Sequence, residues 1–181
     1  SERLCMPPYQ RSYSWGEREA GELLTDLLDA AETGTPHFIG AVVLNRGTEE
    51  GLLEIVDGQQ RLTTLTILLA VLRDTESDAA KSKEIHALIA DEARPMLGEA
   101  ASWRLELNHM DGPFFRHMIQ TPGATLSLDG EPGESDSQRR MVQNARTLLK
   151  RVRELSDEDR RALADITINR CALVRVVVND K

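Results

Sequence analysis

The spacing of apolar positions divides the chain into helical and strand-like stretches. Leu23, Leu24, Leu27 and Leu28 recur at helical spacing. Ser14 and Glu17 supply an S-x-x-E capping box ahead of them, so a first helix is expected to run to a stop near Gly34-Thr35-Pro36. Upstream, Pro7 and Pro8 disfavour helix and impose an extended entry ending at Tyr9-Gln10-Arg11. Two β-rich runs follow, Phe38 to Leu44 and Leu52 to Val56, separated by a polar stretch containing Gly47 and Gly51, which reads as a hairpin. The second run breaks at Asp57-Gly58 and passes into a helix from about Gln59 to Arg73, with Leu62, Leu65, Leu68, Leu69 and Leu72 as its apolar face.

Beyond this strand, turn and helix, the pattern predicts a helix over Ser82 to Leu97 with Pro95 near its end, and a short strand at Trp103 to Leu107. Asp111 is placed to cap a short helix containing Phe114, Phe115, Met118 and Ile119. Residues 121–138 are rich in Gly, Pro, Ser and acids and read as a surface loop. Helices are expected at Val142 to Leu155 and, capped by Ser156, at Asp157 to Ile168, with a β-branched strand at Ala172 to Val178. The fold class is α+β: a small mixed sheet with several packed helices. Residues 1–181 read as one domain, with a motif-bearing core in 1–75 and a mainly helical part in 76–181 around the 121–138 loop. The stop directly after a strand suggests that the natural polypeptide continues.

Composition narrows the class. Apolar residues at 40% and charged residues at 29% are ordinary globular proportions, which excludes a wholly disordered or fibrous chain. No apolar run is long enough to span a bilayer, so no membrane partner is expected. A net charge of -8 argues against wholesale wrapping of nucleic acid, so any such contact must be local. The charge is uneven: residues 3–18 hold Arg3, Arg11 and Arg18 against Glu17 alone, and residues 58–73 hold Arg61 and Arg73 with no acid. Two cysteines, Cys5 and Cys171, in a chain without a signal peptide make a reducing, cytoplasmic setting the expectation.

The densest chemistry lies at Asp57-Gly58-Gln59-Gln60-Arg61-Leu62-Thr63-Thr64, where strand hands over to helix. Such a junction aims backbone N–H groups and the positive end of the helix dipole at one spot, which favours a phosphate. Gly58 lets a ligand approach the backbone, Arg61 offers a forked cation, and Thr63 and Thr64 offer hydroxyls. Asp57 is placed to hold Mg²⁺ or orient a water that Gln59 and Gln60 could position. The plainer reading is a turn followed by solvated glutamines and packed threonines, and composition alone does not choose between them. A second signal is that Tyr9, Tyr13 and Trp15, interleaved with Gln10 and Arg11, crowd one stretch of a chain with only 4% aromatics. Aromatics beside a guanidinium stack on bases, and Gln10 can read a base edge; the residues alone nevertheless favour aromatics that plug the core.

Three segments together resemble a known family. Pro8-Tyr9-Gln10-Arg11-Ser12-Tyr13-Ser14-Trp15, then His37-Phe38-Ile39-Gly40-Ala41-Val42-Val43-Leu44, then Ile55-Val56-Asp57-Gly58-Gln59-Gln60-Arg61-Leu62-Thr63-Thr64-Leu65 are similar, in order and wording, to the N-terminal domain of GmrSD-type restriction factors, including the phosphorothioate-sensing group. The likeness is specific over residues 3 to about 73 and weaker beyond. It implies a ParB/sulfiredoxin-like fold and a Mg²⁺-dependent nucleoside triphosphatase, a hydrolase acting in antiviral restriction that recognises modified double-stranded DNA, phosphorothioate among the candidates. It also implies a C-terminal HNH nuclease domain in the same polypeptide. His37, His86, His109 and His117 form no HNH pattern, so this chain is not expected to be the nuclease. Carried across, Asp57, Gln59, Gln60 and Arg61 become catalytic, Asp57 the metal ligand, Gly58, Thr63 and Thr64 nucleotide-binding, and Tyr9, Gln10, Arg11, Tyr13 and Trp15 neighbours of the nucleotide or sensors of DNA. The alternative is a ParB-like module that binds nucleotide or DNA without turnover and gates a partner domain. The nucleotide preferred and the oligomeric state stay open.

Rival chemistries lack a foothold. No G-x-x-x-x-G-K-[ST] or G-x-G-x-x-G occurs. The histidines lack zinc spacing, and both cysteines are flanked by apolar residues rather than activated. No cysteine stands near Asp57, which departs from the sulfiredoxin branch of the fold.

Overall fold

Extended segments on one side and helices on the other assemble around a single apolar core. The computed structural model describes residues 2–47, 51–93, 96, 98, 100–128 and 133–178. A five-stranded mixed sheet has the order β6-β1-β3-β2-β7, built from β1 (Arg3–Cys5), β2 (His37–Arg46), β3 (Leu52–Asp57), β6 (Leu105–Glu106) and β7 (Cys171–Val178). β1 runs parallel to both β3 and β6, β2 and β3 form the expected antiparallel pair, and β7 runs parallel to β2 along one edge. A separate two-stranded ladder joins β4 (Ala90–Asp91) to β5 (Ser102–Trp103). The α+β class stands.

Helix α2 (Gln59–Thr75) is the central element. Ile67, Leu68, Ala70, Val71 and Leu72 are buried, while Leu62, Leu65 and Leu69 are only partly so. The expected leucine face is thus one side of a helix that is apolar almost all round, the signature of a buried position. α1 (Glu17–Thr33), α3 (Ala79–His86), α5 (Asp136–Glu154) and α6 (Asp157–Asp165) complete the core, with α4 (Gly112–Phe115) running into a π-helical turn over Arg116–Gln120. No described helix is long and apolar enough to cross a membrane.

Several boundaries move for long-range reasons. The first helix starts at Glu17 with Gly16 as its N-cap, and Glu19 Oε2 accepts from Gly16 N at 2.9 Å, so half of a capping box forms at Gly16 and Glu19 and none at Ser14 and Glu17. Residues 12–15 stay outside the helix because Ser14 N is held by Gln60 and Ser14 O by Arg140 Nη1. The helix expected at 82–97 begins earlier, because Asp78 accepts from Ala80 N and Lys81 N, and ends at His86; Pro95 lies outside the described residues. Asp111 does not cap: its carboxylate accepts from Ser137 Oγ at 2.6 Å, and Asn108 Oδ1 takes the turn's N–H groups instead. The single strand expected at 103–107 is split between the two sheets. The expected loop 121–138 contains a 3₁₀ turn at Ala124–Ser127 with Thr125 fully buried, and α5 begins within it at Asp136, capped by Ser135. Residues 129–132 lie outside the described residues. Ser156 caps α6 as expected, accepting from Asp159 N at 3.1 Å.

Candidate functional site

The site forms where β3 ends and α2 begins. Gly58 is the N-cap of α2 with φ +96, a left-handed conformation, and a Cβ there would stand 2.7 Å from Val42 Cγ2. Only glycine fits both the angle and the space. No side chain caps the helix, so its first-turn N–H groups keep the unsatisfied positive end that draws an anion. Asp57, the last residue of β3, is exposed beside that end. Arg61 is half-buried one turn in, its Nη1 donating to Ala41 O at 3.1 Å.

The Tyr-Gln-Arg triplet, almost fifty residues away in sequence, meets this turn directly. Gln10 Nε2 donates to Val56 O at 2.9 Å, and Gln59 Nε2 donates to Gln10 Oε1 at 3.2 Å. Both ends of the Gln10 amide are therefore spent joining the two motifs. Tyr9, 73% exposed, and Arg11, also exposed, flank that junction. Of the other N-terminal arginines, Arg3 is paired to Glu106 and Arg18 to Glu19.

Five sequence-predicted residues take other work. Gln60 is buried; its Oε1 accepts from Ser14 N at 2.7 Å and Trp15 N at 3.2 Å while its Nε2 donates to Ser12 O at 3.3 Å. It clamps the 12–15 segment rather than facing a ligand. Thr63 and Thr64 are fully buried and donate to Gln59 O and Gln60 O, so neither hydroxyl is within reach of a nucleotide. Tyr13 is 2% exposed, which rules out stacking on a base; its hydroxyl bonds Thr64 Oγ1 at 2.7 Å and accepts from Asn144 Nδ2 at 2.7 Å. Burial pushes its phenol up to about 12, against the opposing pull of those two bonds. Trp15 packs partly buried against the core, its carbonyl held by Asn144 at 3.0 Å.

Asn144 and Gly40 are the residues that sequence reasoning passed over. Asn144 sits on the buried stripe of α5 between Met141 and Leu148, where an amide needs a partner, and that misplaced polarity was its signal. Gly40, which the sequence reading names only within the His37 to Leu44 segment, is the other: a Cβ there would stand 3.0 Å from Arg61 Cζ, and its isolation within a strand pattern was the signal.

Among the described residues no group of three or more His, Cys, Asp and Glu could hold a metal ion; at the turn Asp57 offers a single exposed carboxylate. One carboxylate beside an uncapped helix end would fit Mg²⁺ only with waters and substrate phosphates as its remaining ligands. A search of curated proteins finds no match. The sequence model described as the GmrSD restriction endonuclease, N-terminal domain, matches residues 1–181, and the chain belongs to that family.

Proposed function

We propose that the 57–61 turn binds and hydrolyses a nucleoside triphosphate with Mg²⁺, and that recognition of modified DNA by the adjoining triplet adjusts this activity for a nuclease domain elsewhere in the restriction protein. The observation that carries the reading is the Gln10 bridge, which fuses the two motifs at an uncapped helix N-terminus. The helix end and Arg61 bind phosphate, and the guanidinium acts most strongly as charge shifts between phosphate oxygens in the transition state. Asp57 would hold Mg²⁺, which neutralises phosphate charge when bound. Gln59 is buried, at 7% exposure, and gives its amide to Gln10, so its carbonyl oxygen is the one end of that side chain left to accept from an attacking water.

Tyr9 and Arg11 are exposed and sit beside the nucleotide end of α2, so they supply the stacking ring and the phosphate contact for DNA. A modified duplex then changes hydrolysis by binding one nucleotide state better than the other. One observation favours a second reading, a module that binds without turnover: Gln60, Thr63 and Thr64 are withdrawn into structural bonds, leaving Asp57, Gln59 and Arg61 for chemistry. Phosphate release from the four nucleoside triphosphates, with and without modified duplex, separates the two.

A further inference from the structure

β2 reaches the motif turn with two register irregularities, one against β7 between Phe38 and Gly40 and one against β3 between Val43 and Leu44. Irregular strands of this kind re-aim backbone groups beside functional sites. Gly40, Ala41 and Val42 lie between the two, and all three meet α2: Val42 lies under Gly58, Ala41 O accepts from Arg61, and Gly40 lies under the Arg61 guanidinium. A Cβ placed on Gly40 would stand 3.0 Å from Arg61 Cζ and 3.1 and 3.2 Å from its two Nη atoms. Three near-equal distances mean that the guanidinium plane faces the glycine. The bare α-carbon is a flat seat, and φ +108 at Gly40 is a conformation that side chains rarely adopt.

We propose that Gly40 is the positioning residue for Arg61: the absence of a side chain lets the guanidinium lie on β2, where the Ala41 carbonyl fixes its rotation and its other N–H donors are held ready for phosphate. This rests on the reading of Arg61 as the phosphate-facing cation. The long Arg side chain otherwise samples many rotamers, and fixing it before the ligand arrives removes an ordering cost from the transition state. Gly40 touches no substrate and acts through Arg61 alone.

The test is a double-mutant cycle on the 181-residue chain with Gly40→Ala, Arg61→Ala and the double variant, read by steady-state phosphate release, by binding of a fluorescent nucleotide analogue and by thermal melting. Gly40→Ala should lower kcat by about tenfold to a hundredfold with KM changed much less, since ground-state binding also draws on the helix end. In the Arg61→Ala background it should change analogue binding less than about twofold and lower the melting temperature by less than it does with Arg61 present. Equal losses in the two backgrounds would reduce the glycine to a backbone requirement and overturn the proposal. If Gly40→Ala does not fold, side-chain ¹⁵N NMR of the unaltered protein decides: Arg61 should show slow rotation of its Nη groups, unlike exposed Arg11, and fast averaging in both overturns the seat. If the unaltered chain releases no phosphate from any nucleotide, hydrolysis at the turn is refuted, while the melting cycle and the NMR still judge Gly40.

Discussion

The two ends of α2 carry the same two residue types in opposite settings. At its start, Asp57 is exposed and Arg61 half-buried, beside a helix terminus that no side chain caps. At its finish, Arg73 is 2% exposed and Asp74 accepts from its Nε at 2.7 Å. The Arg73 Nη atoms donate to the carbonyls of Ile119, Gln120 and Thr121, closing the π-helical turn, and Asp74 accepts from Gly123 N, Thr125 N and Thr125 Oγ1. Every acceptor and donor there is spent on the fold. On the proposed reading, chemistry falls to the end where Asp57 stays exposed, and stability to the end whose groups are satisfied.

The contrast breaks first at Arg73. Arg73→Ala strands a buried carboxylate and three carbonyls, and should cost about 3–5 kcal/mol in urea unfolding. Arg61→Ala should keep its melting temperature and lose about a hundredfold or more in hydrolysis, roughly 2.7 kcal/mol of transition-state stabilisation. If both variants lose stability alike, the two ends are not different in kind. Tyr13→Phe comes next. It leaves Thr64 and Asn144 short of a partner at full burial, for about 1–3 kcal/mol of stability and no loss of nucleotide binding beyond what unfolding explains.

Asp74 sets a smaller, pH-dependent effect. Burial alone would raise its pKa, but the Arg73 bond and those from Thr125 and Gly123 outweigh it and hold the carboxyl below its ordinary 3.8. A depressed folded pKa contributes stability that is complete above the unfolded value and fades as pH falls through the folded one. Melting temperature should therefore fall steeply below about pH 4, and Asp74→Asn should flatten that limb while lowering the plateau. The smallest effect is expected from Thr63→Val, which removes only a hydroxyl bonded back to Gln59 O; KM for nucleotide should not move, and a clear rise would return Thr63 to the site.

How much of this was legible follows the range of the interactions. The strand, turn and helix around Asp57-Gly58 are written in adjacent residues, and the structure reproduces them. The Tyr9-Gln10-Arg11 motif was visible, but Gln10 as the bridge was not, because its partners Val56 and Gln59 belong to another segment. Ser14 reads locally as a cap, yet Gln60 holds it ahead of the helix, which starts at Glu17. Residues 121–128 look like loop because their composition is that of one, and the order there comes from Arg73 and Asp74. A charged pair closing an apolar helix was the available warning. The hydroxyls of Thr63 and Thr64 were matched by residue type, and Tyr13 through the resemblance, to roles that burial denies them, whereas the residues alone had favoured Tyr13 as a core aromatic, as it is.

The most direct test of the central claim is phosphate release by the unaltered chain and by Asp57→Ala, each with its melt and with plasmid present, modified or not, in Mg²⁺. The account predicts nucleotide hydrolysis whose rate responds to modified DNA, its loss in Asp57→Ala at an unchanged melting temperature, and intact plasmid throughout. Asp57→Ala that hydrolyses normally, or Mg²⁺-dependent nicking of the plasmid that disappears with Asp57, would contradict it.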